Sequence, residues 1–191
     1  MNHRHFILYK PDGYLSQFLN HQTKRKNKKL LGELYDFPDG TMAIGRLDEP
    51  SEGLLFLTSD GKISEHIRSK NIEKEYFIQI DGVIDNQLIT KLSSGVEITT
   101  DTGPYMTKPC KTSLLESAPA LPPRNRKIRD ERHGPTSWVS ITLTEGKYRQ
   151  VRKMTAAVGY PTLRLVRVRI GNISINDMTP GQVIEVAQFD V

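Results

Sequence analysis

The residues best suited to chemistry lie in one polar segment, residues 45–55. The segment carries Arg46 and three carboxylates, Asp48, Glu49 and Glu52, and it leads directly into the apolar run Leu54-Leu55-Phe56-Leu57. Such a run is typical of a buried strand, and loops at strand ends commonly hold functional groups. The cluster suits an enzyme that attacks or deprotonates its substrate, or a metal-dependent nuclease that uses the carboxylates. The same spacing also fits a surface turn with an exposed ion pair, so the segment alone leaves these interpretations open.

Other familiar catalytic patterns are absent from the sequence. The five histidines are scattered, which disfavours a metal site. Gly61-Lys62 lacks the rest of a phosphate-binding loop, and there is no G-x-G-x-x-G motif, so a nucleotide cofactor has no visible binding loop. The single cysteine, Cys110, excludes an internal disulfide and a cysteine-based zinc site. We therefore expect neither a metal nor a cofactor.

The positive charge of the chain is concentrated in its second half. The 191 residues carry a net charge of +5, but residues 124–169 alone hold twelve Lys and Arg against three acids, or +9. Residues 147–169 contain seven basic residues and no acid, and a second basic run occupies residues 24–29. Clustered positive charge favours binding to a phosphate backbone. For residues 24–29 a solvated surface loop is an equally good interpretation.

Periodicity predicts the elements that would position these groups. Strands are predicted at residues 6–9, 54–57, 75–80, 138–144, 163–170 and 183–186, with another ending at Leu115; helices are predicted at residues 62–68, 85–93 and 148–158. These elements do not alternate regularly, so the predicted class is α+β with a mixed, mostly antiparallel sheet. The proline- and arginine-rich residues 117–136 are predicted to form a loop between two lobes that flank a basic cleft.

Several motifs together resemble the RsuA-type pseudouridine synthases over nearly the whole chain. They are, in order, Tyr9-Lys10-Pro11-Asp12-Gly13, Gly45-Arg46-Leu47-Asp48, residues 51–58, Lys74-Glu75-Tyr76 and residues 145–154. Three further stretches resemble the E subfamily of that family: Leu15-Ser16-Gln17-Phe18, Pro122-Pro123-Arg124-Asn125 with Pro135-Thr136-Ser137-Trp138, and residues 159–165.

The sequence departs from the family pattern in places. Many relatives carry an N-terminal S4 RNA-binding domain, whereas the first catalytic motif begins here at Tyr9, so we expect a single catalytic domain over residues 1–191 without an S4 domain. Lys153 stands where arginine is common, and Pro50 follows Glu49 in the polar segment. Neither change removes a group that the reaction requires.

The resemblance implies the isomerisation of a uridine in RNA, and it implies roles for three residues. Asp48 would be the catalytic carboxylate, which either attacks C1′ of the ribose or acts as a base. Arg152 would balance its charge through a bidentate guanidinium contact. Tyr76 would stack on a uracil that has been flipped out of the RNA, and its hydroxyl would assist loss of the proton at C5.

The resemblance also implies an RNA-binding surface. Arg46 would fill the gap left by the flipped base, and Leu163 would line the pocket opposite Tyr76. Phosphate contacts would come from the basic residues between 147 and 169, namely Lys147, Arg149, Lys153, Arg164 and Arg167. The implied substrate is large-subunit (23S) ribosomal RNA, with small-subunit ribosomal RNA or transfer RNA as alternatives, and a non-catalytic RNA-binding protein as the competing interpretation. We expect a cytoplasmic monomer without a membrane span.

Overall fold

The computed structural model describes residues 3–20, 27–69 and 71–191. The chain divides into two compact units, of which the first holds residues 1–72, 122–125 and 167–191, and the second holds residues 73–121 and 126–166. The proline- and arginine-rich segment 117–136 contributes to both, since only residues 122–125 belong to the first unit. Among the described residues, no helix is both long and apolar enough to cross a membrane.

The first unit is built mainly of antiparallel strands. Its elements are β1 (His5–Lys10), a short 3-10 helix (Leu31–Glu33), β2 (Met42–Ile44), β3 (Glu52–Thr58), α1 (Gly61–Ser69), the last residues of β9 (Thr162–Ile170), β10 (Ile173–Ser174) and β11 (Val183–Val186). Strand β1 lies between β11 and β3 and is antiparallel to both. Strand β2 also pairs with β3, and β10 pairs with the end of β9.

The core of the first unit forms where the predicted apolar runs meet. Phe6 and Leu8 of β1 face Leu57 and Leu55 of β3 across the strand pair, and Leu31 completes this fully buried cluster. Every residue of β3 is buried. The strand is therefore covered on both faces, as its continuous apolar sequence predicts. The turn before β3 is consequently attached to a fully buried strand.

The second unit has its own antiparallel strands. Its elements are β4 (Lys74–Asp81), α2 (Asn86–Ser94), β5 (Glu97–Thr100), β6 (Gly103–Met106), β7 (Lys111–Leu115), a short 3-10 helix (Glu131–His133), β8 (Thr136–Leu143), α3 (Gln150–Ala157) and the first residues of β9. Strand β8 lies between β4 and β7 and is antiparallel to both, while β5 and β6 form a separate hairpin. The α+β class and the mostly antiparallel pairing are thereby confirmed.

The structure differs from the prediction at the start of α3. The helix begins at Gln150 rather than at Tyr148, because Arg149 has a left-handed backbone with φ 53°. The residues before it form a turn in which the side chain of Gln150 accepts a hydrogen bond from the backbone N–H of Lys147 at 2.9 Å. Side-chain bonding of this kind competes with the first helical turn.

Candidate active site

Asp48 lies in the turn between β2 and β3, and its backbone is held on both sides. The buried Leu47 donates its N–H to Ser16 Oγ at 2.9 Å, and the Ser16 hydroxyl donates to the Leu47 carbonyl at 2.8 Å. On the other side, the N–H of Ser51 donates to the Asp48 carbonyl at 3.0 Å. Asp48 itself is half-buried. This anchoring favours a preorganised site over a loose surface turn.

Lys10, the last residue of β1, is a buried cation next to this turn. Its Nζ donates to the carbonyls of Pro11 at 2.9 Å and Glu49 at 3.3 Å, and the residue is completely inaccessible to solvent. Burial lowers the pKa of Lys10 to about 7, while four surrounding carboxylates, Asp48 among them, act in the opposite direction. Lys10 is therefore an electrostatic neighbour of Asp48 in the same unit, and it was absent from the predicted site residues. The sequence feature that could have identified Lys10 is its position directly after the apolar residues of β1.

The other two carboxylates of the polar segment are paired with cations. Glu49 forms an ion pair with Lys28 at 2.5 Å, and the buried Glu52 lies 3.6 Å from Nε of Arg124. Lys28 is thus part of the first unit's site rather than of a solvated basic loop, whereas residues 24–26 of that run lie outside the described residues. Within the described ranges, no group of three or more His, Cys, Asp or Glu side chains could hold a metal ion.

Arg46 and Tyr76 occupy contrasting environments. Arg46 is exposed, two positions before Asp48 in the same turn. Tyr76 lies on the inner face of β4 with only 9% of its surface exposed, beside Ile78 and Ile80, which are fully buried. The predicted alternation of β4 is thereby confirmed.

Arg152 and Leu163 both belong to the second unit. Arg152, on α3, is half-buried, and its Nη1 donates to the carbonyl of Thr162 at 3.5 Å. Leu163 follows Thr162 at the start of β9 and is also half-buried. The contact between Arg152 and Thr162 therefore connects α3 to the strand that carries Leu163.

A partly buried hydrogen-bond network shapes the basic turn before α3. The carboxylate of Glu145 accepts from the Tyr105 hydroxyl at 2.6 Å, from the Lys108 N–H at 2.9 Å and from Gln150 Nε2 at 2.5 Å. Burial alone raises the pKa of Glu145, but these hydrogen bonds hold it below its ordinary value. The turn is consequently rigid and keeps an ionised carboxylate beneath a basic surface.

The basic residues around this turn form a surface that we call the basic corner, Lys147, Arg149 and Lys153. Lys147 is exposed, with Nζ 4.6 Å from the centre of the Tyr105 ring, and Arg149 and Lys153 are half-buried. Nζ of Lys153 lies 5.3 Å from the ring centre of Tyr148, which is 67% exposed. Cations interleaved with accessible aromatic rings are typical of surfaces that bind single-stranded RNA.

Two of the predicted RNA-binding arginines are buried instead. Arg164 is 8% exposed and Arg167 is 4% exposed, and Nε of Arg167 donates to the Leu54 carbonyl at 2.7 Å. The RNA contacts predicted for Arg164 and Arg167 stay predictions, although both side chains are covered here. The reason is that β9 is buried continuously from Arg164 to Val168, so that side chains on both of its faces are covered.

The predicted site residues are divided between the two units. Asp48, Arg46 and Arg167 belong to the first unit, and the remaining ones, which are Tyr76, Lys147, Arg149, Arg152, Lys153, Leu163 and Arg164, belong to the second. The pairing of Asp48 with Arg152 and the role of Tyr76 accordingly stay predictions.

A cavity of about 1240 Å³ lies in the second unit, and its lining includes Arg129 and Trp138. None of the predicted site residues lines it.

Comparisons of the family, of related sequences and of solved structures all match pseudouridine synthases. The family described as RNA pseudouridylate synthase matches residues 4–157. A ribosomal large subunit pseudouridine synthase E from Xanthomonas campestris pv. campestris is 42% identical over 178 residues, which cover 92% of this chain and 91% of the relative. Its counterpart from Vibrio parahaemolyticus is 41% identical over 184 residues, covering 95% and 73%. The crystal structure of a pseudouridylate synthase superimposes with a TM-score of 0.75 at 24% identity, over 96% of this chain and 70% of that one, which shows similarity of fold.

Proposed function

The chain belongs to the RNA pseudouridylate synthase family, and on this premise we propose that it converts a uridine of large-subunit ribosomal RNA to pseudouridine. The observation that carries the choice of substrate is the similarity to two large-subunit enzymes over more than nine-tenths of this chain. In this reaction the N1–C1′ bond breaks, the uracil turns, and C5 bonds to C1′. C5 then loses its proton and N1 ends protonated, so the reaction is balanced without a redox partner or a group donor.

In this proposal Asp48 is the catalytic residue that meets the ribose. A carboxylate suits either attack on C1′ or removal of a proton from the sugar. To do so it must stay ionised in a partly dry site, which requires cations close by. Lys10, which interacts electrostatically with Asp48, is one such cation below its lowered pKa of about 7. We assign Arg152 as the second, because its guanidinium can contact a carboxylate with two donors.

The remaining roles concern the RNA. The buried ring of Tyr76 is suited to stacking on an extruded uracil, with its hydroxyl near C5 and Leu163 on the opposite side. Arg46, exposed beside Asp48, would occupy the gap that the base leaves. The basic corner would contact phosphates, which position RNA without specifying its sequence. For Arg164 and Arg167, which are buried, we propose that they also support β9.

The substrate class is tested with unmodified transcripts. Large-subunit ribosomal RNA, small-subunit ribosomal RNA and transfer RNA are each incubated with the protein without added cofactor, and pseudouridines are then mapped. We expect a new pseudouridine in the large-subunit transcript alone. Modification of one of the other two RNAs, with the large-subunit transcript unchanged, contradicts the proposed substrate.

We also propose that the protein acts as a monomer in the cytoplasm, where such RNA is found. Sedimentation of the active protein tests whether it is a monomer.

A further inference from the structure

Arg124, in the proline- and arginine-rich segment, makes several buried contacts with other residues of the first unit. It belongs to the four residues of that segment, 122–125, that are part of this unit. Its side chain is only 10% exposed, and its Nη2 donates to Asp12 Oδ1 at 2.6 Å and to the Pro50 carbonyl at 3.3 Å. Its Nε lies 3.6 Å from Oε2 of Glu52.

These three partners come from three different parts of the site. Asp12 lies in the turn after β1, Pro50 lies within the turn that carries Asp48, and Glu52 begins β3. A guanidinium is planar and has several donors in fixed directions, so one side chain can hold three elements at once. Because Pro50 is two residues after Asp48, this contact acts on the backbone of the catalytic turn itself.

The charges explain why a cation is needed at this position. The side chains of Asp12 and Glu52 are 1% and 2% exposed, so neither carboxylate is stabilised by bulk water. Arg124 contacts both of them, and Lys10 interacts with both electrostatically. Loss of Arg124 removes a cation from two buried carboxylates, and the resulting loss of charge compensation is relieved by moving the turn from its anchored position or by taking up water.

We propose that Arg124 is a positioning residue, which fixes the turn containing Asp48 through Pro50, Asp12 and Glu52. The proposal rests on the proposed function, since it assumes that the position of Asp48 determines the rate. A guanidinium in this place raises turnover by holding the catalytic carboxylate in its productive position, and it has little influence on how tightly the RNA binds.

The test compares Arg124→Gln with Arg129→Gln. Arg129 is a matched control because it comes from the same segment, its side chain is 16% exposed, and it pairs with Asp81 in the second unit. We expect Arg124→Gln to lower kcat at least tenfold with KM for large-subunit RNA changed less than threefold. Arg129→Gln should keep kcat within twofold of wild type at a temperature where both variants are folded. Arg124→Lys, which keeps the charge but loses the fork of donors, should recover part of the rate. Equal kcat values for Arg124→Gln and Arg129→Gln overturn the proposal.

A second measurement does not depend on catalysis. The N–H of Ser51, which donates to the Asp48 carbonyl, should exchange with solvent at least tenfold faster in Arg124→Gln than in Arg129→Gln. Unchanged exchange overturns the proposal even if the wild-type protein does not isomerise uridine. Absence of wild-type turnover together with faster exchange refutes the proposed function and leaves the positioning role standing. If Arg124→Gln does not fold, Arg124→Lys is used in both measurements, and wild-type behaviour in both contradicts the role.

Discussion

At the residue scale, a buried lysine and a half-buried aspartate interact electrostatically within the first unit. Lys10 is inaccessible to solvent and hydrogen-bonds to backbone carbonyls rather than directly to a carboxylate. Its charge is therefore felt by Asp48 without neutralising it in a tight ion pair.

Replacing Lys10 with methionine should change how stability depends on pH. Burial lowers the pKa of folded Lys10 to about 7, below the ordinary 10.5. Between these values the unfolded chain holds a proton that the folded chain lacks, so the contribution of Lys10 to the free energy of unfolding increases as pH rises. We expect wild type to gain up to about 1.4 kcal/mol per pH unit relative to Lys10→Met within this window.

Urea unfolding of both proteins from pH 7 to pH 10 measures this difference. Groups with raised pKa values, such as Cys110 and Tyr105, are present in both proteins and cancel in the comparison. Parallel stability profiles would show that Lys10 is not buried as a titrating group.

At the scale of elements, the junction between β3 and β9 depends on one glycine. Gly53 has φ 103°, and a Cβ built on it would lie 2.2 Å from the carbonyl oxygen of Arg167. The neighbouring Leu54 carbonyl accepts from Arg167 Nε at 2.7 Å. The two strands therefore approach closely just after the turn of Asp48, and only a residue without a side chain permits this approach.

Gly53→Ala should destabilise the protein by at least about 2 kcal/mol, through backbone strain together with the clash. Gly40→Ala is the control, because Gly40 lies in the same unit with φ 79° and nothing lies within 4 Å of its built Cβ. That variant should lose about 1 kcal/mol from strain alone. Equal losses in chemical denaturation would mean that the close approach of the strands contributes nothing.

Strong periodicity made some elements predictable, and weak periodicity concealed others. The alternation of β4 and the cap of α2, where Asp85 accepts from the Leu88 N–H at 2.8 Å, are confirmed. The alternation of β8 is not, because this strand is buried continuously from Val139 to Leu143. The hairpin of β5 and β6 was not predicted, because its strands have four residues each and one contains Pro104. Short strands provide too few alternating positions to be recognised.

The candidate site was predictable where it is local in sequence. The turn of Asp48 is marked by polar residues next to an apolar run, and the family resemblance assigned its role. The contribution of Arg124 could not be read in this way, since its partner Asp12 is 112 positions away. A pairing over that distance depends on how the chain folds back and leaves no periodic pattern.

At the scale of the whole molecule, the pseudouridine synthase fold is confirmed by similarity to a solved pseudouridylate synthase at a TM-score of 0.75. Positive charge is distributed unevenly along the chain, since residues 124–169 carry +9 and the whole chain carries +5. The structure distinguishes two groups among these cations: some are buried in β9, and others are accessible at the basic corner. Only accessible cations can replace counterions on RNA.

This division predicts the salt dependence of RNA binding. Lys147→Gln and Lys153→Gln should each reduce the slope of log K against log salt concentration by about 0.7, the value for one phosphate of a single strand. Lys91→Gln, at an exposed position on α2 of the same unit, should leave the slope unchanged. Binding of large-subunit RNA by filter retention between 50 and 200 mM salt, roughly the range in which phosphate contacts are most visible, gives the slopes. Identical slopes for all three variants would contradict a phosphate-binding role for the basic corner.

The most direct test of the catalytic role of Asp48 is to compare tritium release by wild type and by Asp48→Asn. The substrate is large-subunit RNA that carries tritium at C5 of uridine. Formation of the C5–C1′ bond expels the C5 hydrogen, so release reports isomerisation and not merely binding. We predict release by the wild-type protein with the RNA chain intact. For Asp48→Asn we predict no release, with RNA affinity and melting temperature close to those of wild type. Substantial tritium release by folded, RNA-bound Asp48→Asn would contradict the central claim that this carboxylate carries out the reaction.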